Sequence, residues 1–251
     1  GELDVALPTA PLAQEIDLTR ARILIHGAGG AGKSTLLSGW FPQSTFVMDF
    51  DDAWRLLPGQ HFRETPNSFA KVMQLTTELL TTQHPFKTVV VDTVTRMHRL
   101  ADLEAGSRYG KNAAAVVEYG RGTADRDGTI MRCIAPLFAA PLGVVLLAHS
   151  GGKEGTPEDD KRMYPAVDKR IYDDLVGGVD FVFAADRTPD GRHVLVTGAS
   201  DRFYTKSRWP MPAYLELPAD PREGALLLHK TLTDAAAASA GELTTTNTKE
   251  Q

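Results

Sequence analysis

The sequence predicts an α/β fold: a mostly parallel sheet flanked by helices, with an antiparallel extension on its C-terminal side. Three observations carry this. Short apolar runs alternate with segments of helical period from residue 21 onward. Two of the runs, Thr88–Asp92 and Gly143–His149, are almost continuously apolar, as strands buried on both faces of a parallel sheet must be. A Gly-rich turn joins the first run to the first helix, the junction of a phosphate-binding strand–loop–helix unit.

Taken in order, residues 1–20 hold prolines and polar residues without period and read as an N-terminal arm. Ala21–His26 is a strand entering the glycine turn. Lys33–Trp40 is a helix that Pro42 stops. Thr45–Phe50 is a second strand. Ser68 caps a helix to Thr82, with Phe69, Val72, Met73, Leu75, Leu79 and Leu80 as its apolar positions. Thr88–Asp92 is a strand and Val94–Ala105 a helix. Gly106–Gly128 holds five glycines and many charges, so a loop is expected over much of it. Thr129–Ala139 is helical, Gly143–His149 is a strand, and Ser150–Tyr164 is a polar loop. Asp168–Leu175 is a short helix. Phe181–Ala185 and His193–Thr197 pair as a hairpin around Thr188-Pro189-Asp190-Gly191. The ATPase-like body then spans 21–231, and the Ala-rich, Thr-rich stretch 232–251 reads as a flexible tail.

The spacing Gly27-Ala28-Gly29-Gly30-Ala31-Gly32-Lys33-Ser34 satisfies the P-loop pattern in full, with a strand before it and a helix after. Glycines let the backbone curl so that amides point inward at phosphate oxygens, and the helix adds its positive end. Lys33 supplies a cation for the β- and γ-phosphates, the Ser34 hydroxyl a ligand for Mg²⁺, and Thr35 a contact to the α-phosphate. The expected ligand is therefore a nucleoside triphosphate, ATP, with Mg²⁺. Asp92, at a strand end, is the natural Walker B carboxylate and second Mg²⁺ ligand, and it also fits a cap for the next helix. Asp49, Asp51 and Asp52 crowd another strand end, where they would repel one another without a positive neighbour such as bound Mg²⁺. One of them is a candidate general base; Asp52 fits a solvated loop.

A P-loop, then a carboxylate after the next strand, then Thr88-Val89-Val90-Val91-Asp92-Thr93, then Leu146-Leu147-Ala148-His149-Ser150 occur in that order. This order resembles the RecA-like ATPase core, and within it the short phage-encoded RecA/RadA-type ATPases associated with single-strand annealing, over roughly residues 21–217. The resemblance implies roles residue by residue. Asp51 matches the acidic catalytic position, usually Glu, so its shorter side chain bears on the hydrolysis rate. His149 matches the polar sensor after Walker B, and also fits a strand-edge cap. Ser150–Tyr164 takes the place of the second DNA-binding loop, with Lys153, Lys161, Arg162 and a stacking Tyr164, although Glu154, Glu158, Asp159 and Asp160 also fit a solvated loop. Gly106–Arg126 takes the place of the first, with Arg108, Tyr109, Lys111, Arg121 and Arg126. Thr205–Trp209 resembles the Lys-x-Arg element that such subunits insert into a neighbour's ATP site, making Lys206 and Arg208 candidate fingers. The same two cations also fit a surface beside a packed Trp209. The implied partners are single-stranded DNA, further copies in a filament or ring, and a single-strand-binding protein, in a cytoplasm that is a host's if the chain is phage-encoded.

Composition sets bounds on this. Net charge is −5, which argues against a protein coated in basic charge for non-specific duplex binding, while leaving room for a local basic groove. Cys133 is the single cysteine, so no internal disulfide forms, and its apolar surroundings suit a core position. No apolar run reaches the roughly 18 residues of a membrane helix. Trp40 and Trp54 read as packing groups. His26, His61, His84, His98, His193 and His229 show no ligand spacing and read as structural or surface residues. Two other functions fit a P-loop: a nucleotide-gated assembly or loading factor acting on protein, and a small-molecule kinase, for which residues 150–168 are too acidic to make the usual arginine-rich lid.

Overall fold

The computed structural model describes residues 17–152 and 160–247. Ten strands and six α-helices follow in chain order: β1 (Arg22–Gly27), α1 (Lys33–Ser38), β2 (Thr45–Asp49), β3 (Phe62–Glu64), α2 (Phe69–Thr81), β4 (Thr88–Asp92), α3 (Val94–Arg108), α4 (Arg121–Ala139), β5 (Gly143–Ala148), β6 (Ser150–Gly151), β7 (Tyr164–Pro165), α5 (Lys169–Gly178), β8 (Phe181–Arg187), β9 (His193–Val196), β10 (Tyr214–Glu216) and α6 (Pro221–Asn247). Eight strands form one sheet in the order β10-β9-β8-β1-β5-β4-β2-β3. From β3 to β8 all neighbours are parallel, and β9 and β10 add an antiparallel edge. This is the predicted architecture.

The sheet's period of two divides its apolar residues between two cores. Leu24, Val89, Val91, Val144, Leu146 and Val182 face the layer made by α2 to α5. Ile23, Ile25, Val47, Val90, Val145, Leu147 and Phe183 face α1 and α6. Each such side chain, fully buried, contributes about 1.5–3 kcal/mol of transfer free energy. Both faces of β4 and β5 are therefore dry, which explains their unbroken apolar runs.

Local chemistry sets the helix starts. Ser68, Thr93 and Asp168 each accept a backbone N–H from the first turn they precede, at 3.3, 3.2 and 3.0 Å. The expected loop over 106–128 is only partly a loop: helix α4 begins at Arg121. Gly122 is there for closeness rather than for a turn, since a Cβ on it would lie 2.3 Å from the Ala114 carbonyl oxygen. Four strands were not anticipated: β3 and β10 are three-residue edge segments, and β6 and β7 are a two-residue antiparallel pair at the ends of the expected 150–164 loop, all with too little period to read.

The C-terminal boundary also differs from expectation. Helix α6 continues without interruption through residues 232–247, and Leu232, Ala235 and Ala236 are buried. The Ala-rich composition read as a tail is a helix-forming one with an apolar side to cover. Residues 1–16 of the expected arm and 248–251 of the expected tail lie outside the described residues; of the arm, Leu18 is buried in a 3₁₀ turn capped by Asp17. Among the described residues no helix is long and apolar enough to cross a membrane.

Candidate functional site

Strands β1 and β4 end at the same edge of the sheet with β5 between them, and this edge gathers the site. Gly27 closes β1 against β8 so tightly that a Cβ would sit 2.3 Å from the Ala185 carbonyl oxygen. Gly30 and Gly32 take φ of 75° and 92°, the left-handed region that favours glycine. Ala31 N–H turns back to the Ala28 carbonyl at 3.2 Å, and Ala31 is buried. Gly29 has open space around it, so its role lies in the exposed amide rather than in packing. Helix α1 is only six residues long, so the amides of its first turn matter more to a phosphate than its dipole does.

Lys33 is buried, and its ammonium donates to the Gly27 and Ala28 carbonyls at 2.8 and 2.9 Å. Burial pulls its pKa below the usual lysine range, and nearby Asp92 opposes that pull. Asp92 is buried too. One oxygen, Oδ2, accepts both the Ser34 hydroxyl at 2.5 Å and the Trp54 indole N–H at 2.7 Å. Burial raises the Asp92 pKa, and these two hydrogen bonds work against the rise. A serine hydroxyl and an aspartate oxygen already in contact, beside a lysine, are hard oxygen donors of the kind Mg²⁺ selects. Ser34 and Asp92 thus fit the metal roles expected of them. A polar hollow of about 250 Å³ opens here, lined by Gly30, Gly32, Lys33, Ser34, Thr35, Arg187 and His193.

The acidic strand end resolves differently from the expectation. Its positive neighbours are arginines: Arg63 reaches Asp49 and Asp52, Arg55 pairs with Asp52, and Arg96 pairs with Asp51 at 2.8 Å. Asp49 is fully buried and holds the following turn through the amides of Ala53 and Trp54. Asp51 is turned to the first turn of α3. His149 follows β5, midway between the P-loop strand and the Asp92 strand, and its N–H donates to the Thr95 hydroxyl at 3.2 Å.

Lys206 and Arg208 lie elsewhere. The Lys206 ammonium donates to the Val176 and Val179 carbonyls at 2.8 Å each, closing the end of α5. Arg208 is 58% exposed and pairs with Asp180, which in turn accepts the N–H of Arg22, the first residue of β1. That is the end of β1 remote from Gly27, ~16 Å along the strand.

Of the expected DNA-contacting residues, Arg108, Lys111, Arg121 and Lys161 are exposed. Arg108 lies 3.5 Å from each of Glu104 and Asp125. Arg162 is held by Asp160. Two expectations fail. Tyr164 is 5% exposed, stacks on Tyr204 and donates its hydroxyl to Asp160 at 2.6 Å, so it is a packing residue and no platform for a base. Arg126 is an internal hub binding Asp102, Asp127 and Asp168. Lys153, with Glu154, Glu158 and Asp159, lies outside the described residues.

Four site residues escaped the sequence reading, one of them Arg187 in the wall of the hollow. Trp54, taken for packing alone, steadies Asp92. His193 donates Nδ1–H to the Ala31 carbonyl at 3.0 Å and walls the loop near Gly32. His26, fully buried one residue before the loop, joins Ser150 and the Tyr204 carbonyl at 2.8 Å each. Nothing in their spacing marks them: the hydrogen-bond partners of Trp54, His193 and His26 lie between 38 and 178 residues away.

No curated protein matches the chain. Among solved structures it is similar to the crystal structure of the RadB recombinase, at 15% identity over 81% of this chain and 89% of that one, with a TM-score of 0.46. A family model described as an AAA domain matches residues 19–209. That stretch runs from just before β1 past β9 and takes in the P-loop, Asp92 and their partners, so the chain belongs to the AAA domain family of P-loop ATPases.

Proposed function

We propose that the chain hydrolyses ATP with Mg²⁺ at the Lys33–Ser34–Asp92 site, working as an oligomer on single-stranded DNA to promote annealing or strand pairing in recombination. The observation that carries the nucleotide part is the Ser34–Asp92 contact beside a lysine that grips its own loop. Lys33 exchanges the Gly27 and Ala28 carbonyls for phosphate oxygens. Ser34 and Asp92 hold Mg²⁺, which neutralises charge on the phosphates when bound. Arg187 and His193 wall the same hollow. Beside it, sharing Gly32, Thr35 and His193, an apolar hollow of about 230 Å³ framed by Leu36, Leu217 and Pro218 has the character to take the base. Asp51 is free to position a water once Arg96 releases it, and His149 stands where loss of the γ-phosphate would be felt.

Hydrolysis at subunit interfaces rests on Arg208. Its exposure and its place far from its own P-loop suit action on a neighbour, and such a heterologous contact closes a ring or propagates a filament. Lys206, committed to α5, is better suited to support that segment. The DNA part rests on the order of motifs and on the exposed cations Arg108, Lys111, Arg121 and Lys161. A single-strand-binding protein is the natural accessory partner.

The test is ATP turnover with and without single-stranded DNA. A several-fold stimulation is expected, with Lys33→Ala inactive. Arg208→Ala should bind ATP and fail to hydrolyse it, while mixing it with Lys33→Ala subunits restores part of the activity. Stimulation by a protein and none by DNA would favour an assembly factor. Phosphate transfer to a small acceptor would favour a kinase.

A further inference from the structure

We propose that His98, Asp127 and Asp168 form a site for a divalent transition-metal ion that pins α3, α4 and α5 together, separate from the nucleotide site. His98 projects from α3, Asp127 from α4, and Asp168 caps α5. One coordinating atom from each lies within 4.8 Å of the other two. Metal bonds of ~2.0–2.2 Å place ligand atoms roughly 3.3–3.6 Å apart, so small side-chain rotations close the triad.

Two observations separate this triad from an ordinary acidic cluster. Asp127 is only 7% exposed, yet its Oδ2 has no hydrogen-bond partner among the described residues. His98 Nε2 is likewise buried without a partner, 4.0 Å from Asp168 Oδ2, too far for a hydrogen bond. Orphaned buried lone pairs are costly, and two of them converging on one spot describe a missing cation.

Charge points the same way. Three carboxylates, Asp102, Asp127 and Asp168, surround the single guanidinium of Arg126. Two negative charges remain, which a divalent ion balances. Arg126 binds the other oxygen of Asp127, at 2.8 Å, and Asp168 Oδ2, at 2.5 Å, so it orients both carboxylates, as outer partners do around metal ligands. An imidazole with two carboxylates selects a borderline ion such as Zn²⁺ over Mg²⁺ or Ca²⁺, and three protein ligands leave a position for water. The ion would fix Asp168, three residues beyond β7, and thereby the root of the 150–165 segment, against the helical layer.

The experiment titrates Zn²⁺ into metal-stripped full-length chain by calorimetry, with millimolar Mg²⁺ present to occupy hard oxygen sites. One equivalent per chain is expected, with Asp127→Asn and His98→Gln each weakening binding at least tenfold. No saturable binding, or two folded variants that bind like the parent, overturns the site. Should either variant fail to fold, X-ray absorption at the zinc edge of the parent protein decides: an imidazole nitrogen in the shell supports the triad, and an all-oxygen shell overturns it.

Discussion

Between about pH 7.5 and pH 5 the unfolded chain takes up a proton at His26 and the folded chain does not. The ring is fully buried beside the P-loop, and burial drives its pKa from 6.5 down to about 4, with the Lys33 charge adding to the effect and the Tyr204 carbonyl opposing it. The carbonyl can only accept, so Nε2 carries the hydrogen and neutral Nδ1 accepts the Ser150 hydroxyl. A folded pKa below the unfolded one means that stability is complete above 6.5 and is lost as the pH falls toward 4. At pH 5 the loss from these two values comes to about 2 kcal/mol. For a chain of this size that corresponds to a fall of roughly 4–8 °C in Tm. Urea unfolding at the two pH values, on the parent chain and on His26→Gln, isolates the contribution, because the glutamine amide can still donate to Tyr204 and does not titrate. The difference between the two proteins should shrink or reverse by about 2 kcal/mol at pH 5. Equal pH dependence in both would refute the reasoning, and would mean that the folded imidazole accepts a proton where it stands.

Three further outcomes follow from contacts around the site. Gly27→Ala drives a Cβ into the Ala185 carbonyl and should destabilise the chain by more than about 2 kcal/mol, measurable by thermal unfolding. Trp54→Phe removes one of the two donors on Asp92 Oδ2; the expected loss is about 1–2 kcal/mol in stability together with weaker Mg²⁺-dependent ATP binding, and unchanged nucleotide affinity would show that the indole only packs. Lys206→Met strips two carbonyls at the end of α5 of their donor and should lower stability by about 1–2 kcal/mol with nucleotide binding intact, whereas a finger residue would lose hydrolysis at unchanged Tm.

The parallel sheet and the P-loop were legible because each rests on neighbours in sequence. A run of Val and Leu buried on two faces has one reading, and so does a glycine loop between strand and helix. Ser68 sits at the helix start where cap chemistry puts it, whereas α3 is capped by Thr93 and not by the Asp92 that the sequence offered. What was illegible depends on distant partners. Asp49 had no role of its own beside Asp51 and Asp52, and only the fold shows it buried under the turn to Trp54 while Asp51 faces Arg96. Tyr164 and Arg126 read as surface groups from their loop-like, charged surroundings, yet Tyr204 and Asp168 draw them inward. The glycines of 106–128 misled for a related reason: a glycine that admits a neighbouring backbone looks the same in sequence as one that makes a turn. Residues 232–251 looked like a tail, yet Leu232 joins the core that α1 faces, and Ala235 and Ala236 are buried.

Gly39 abuts the start of α6 so closely that a methyl group there would fall 2.2 Å from the Pro221 carbonyl oxygen, and Leu36 and Leu228 share one core. The helix that follows the P-loop thus leans on an element far from it in sequence. A larger residue at Gly39 would therefore disturb the phosphate loop from behind, without touching any group that faces the nucleotide.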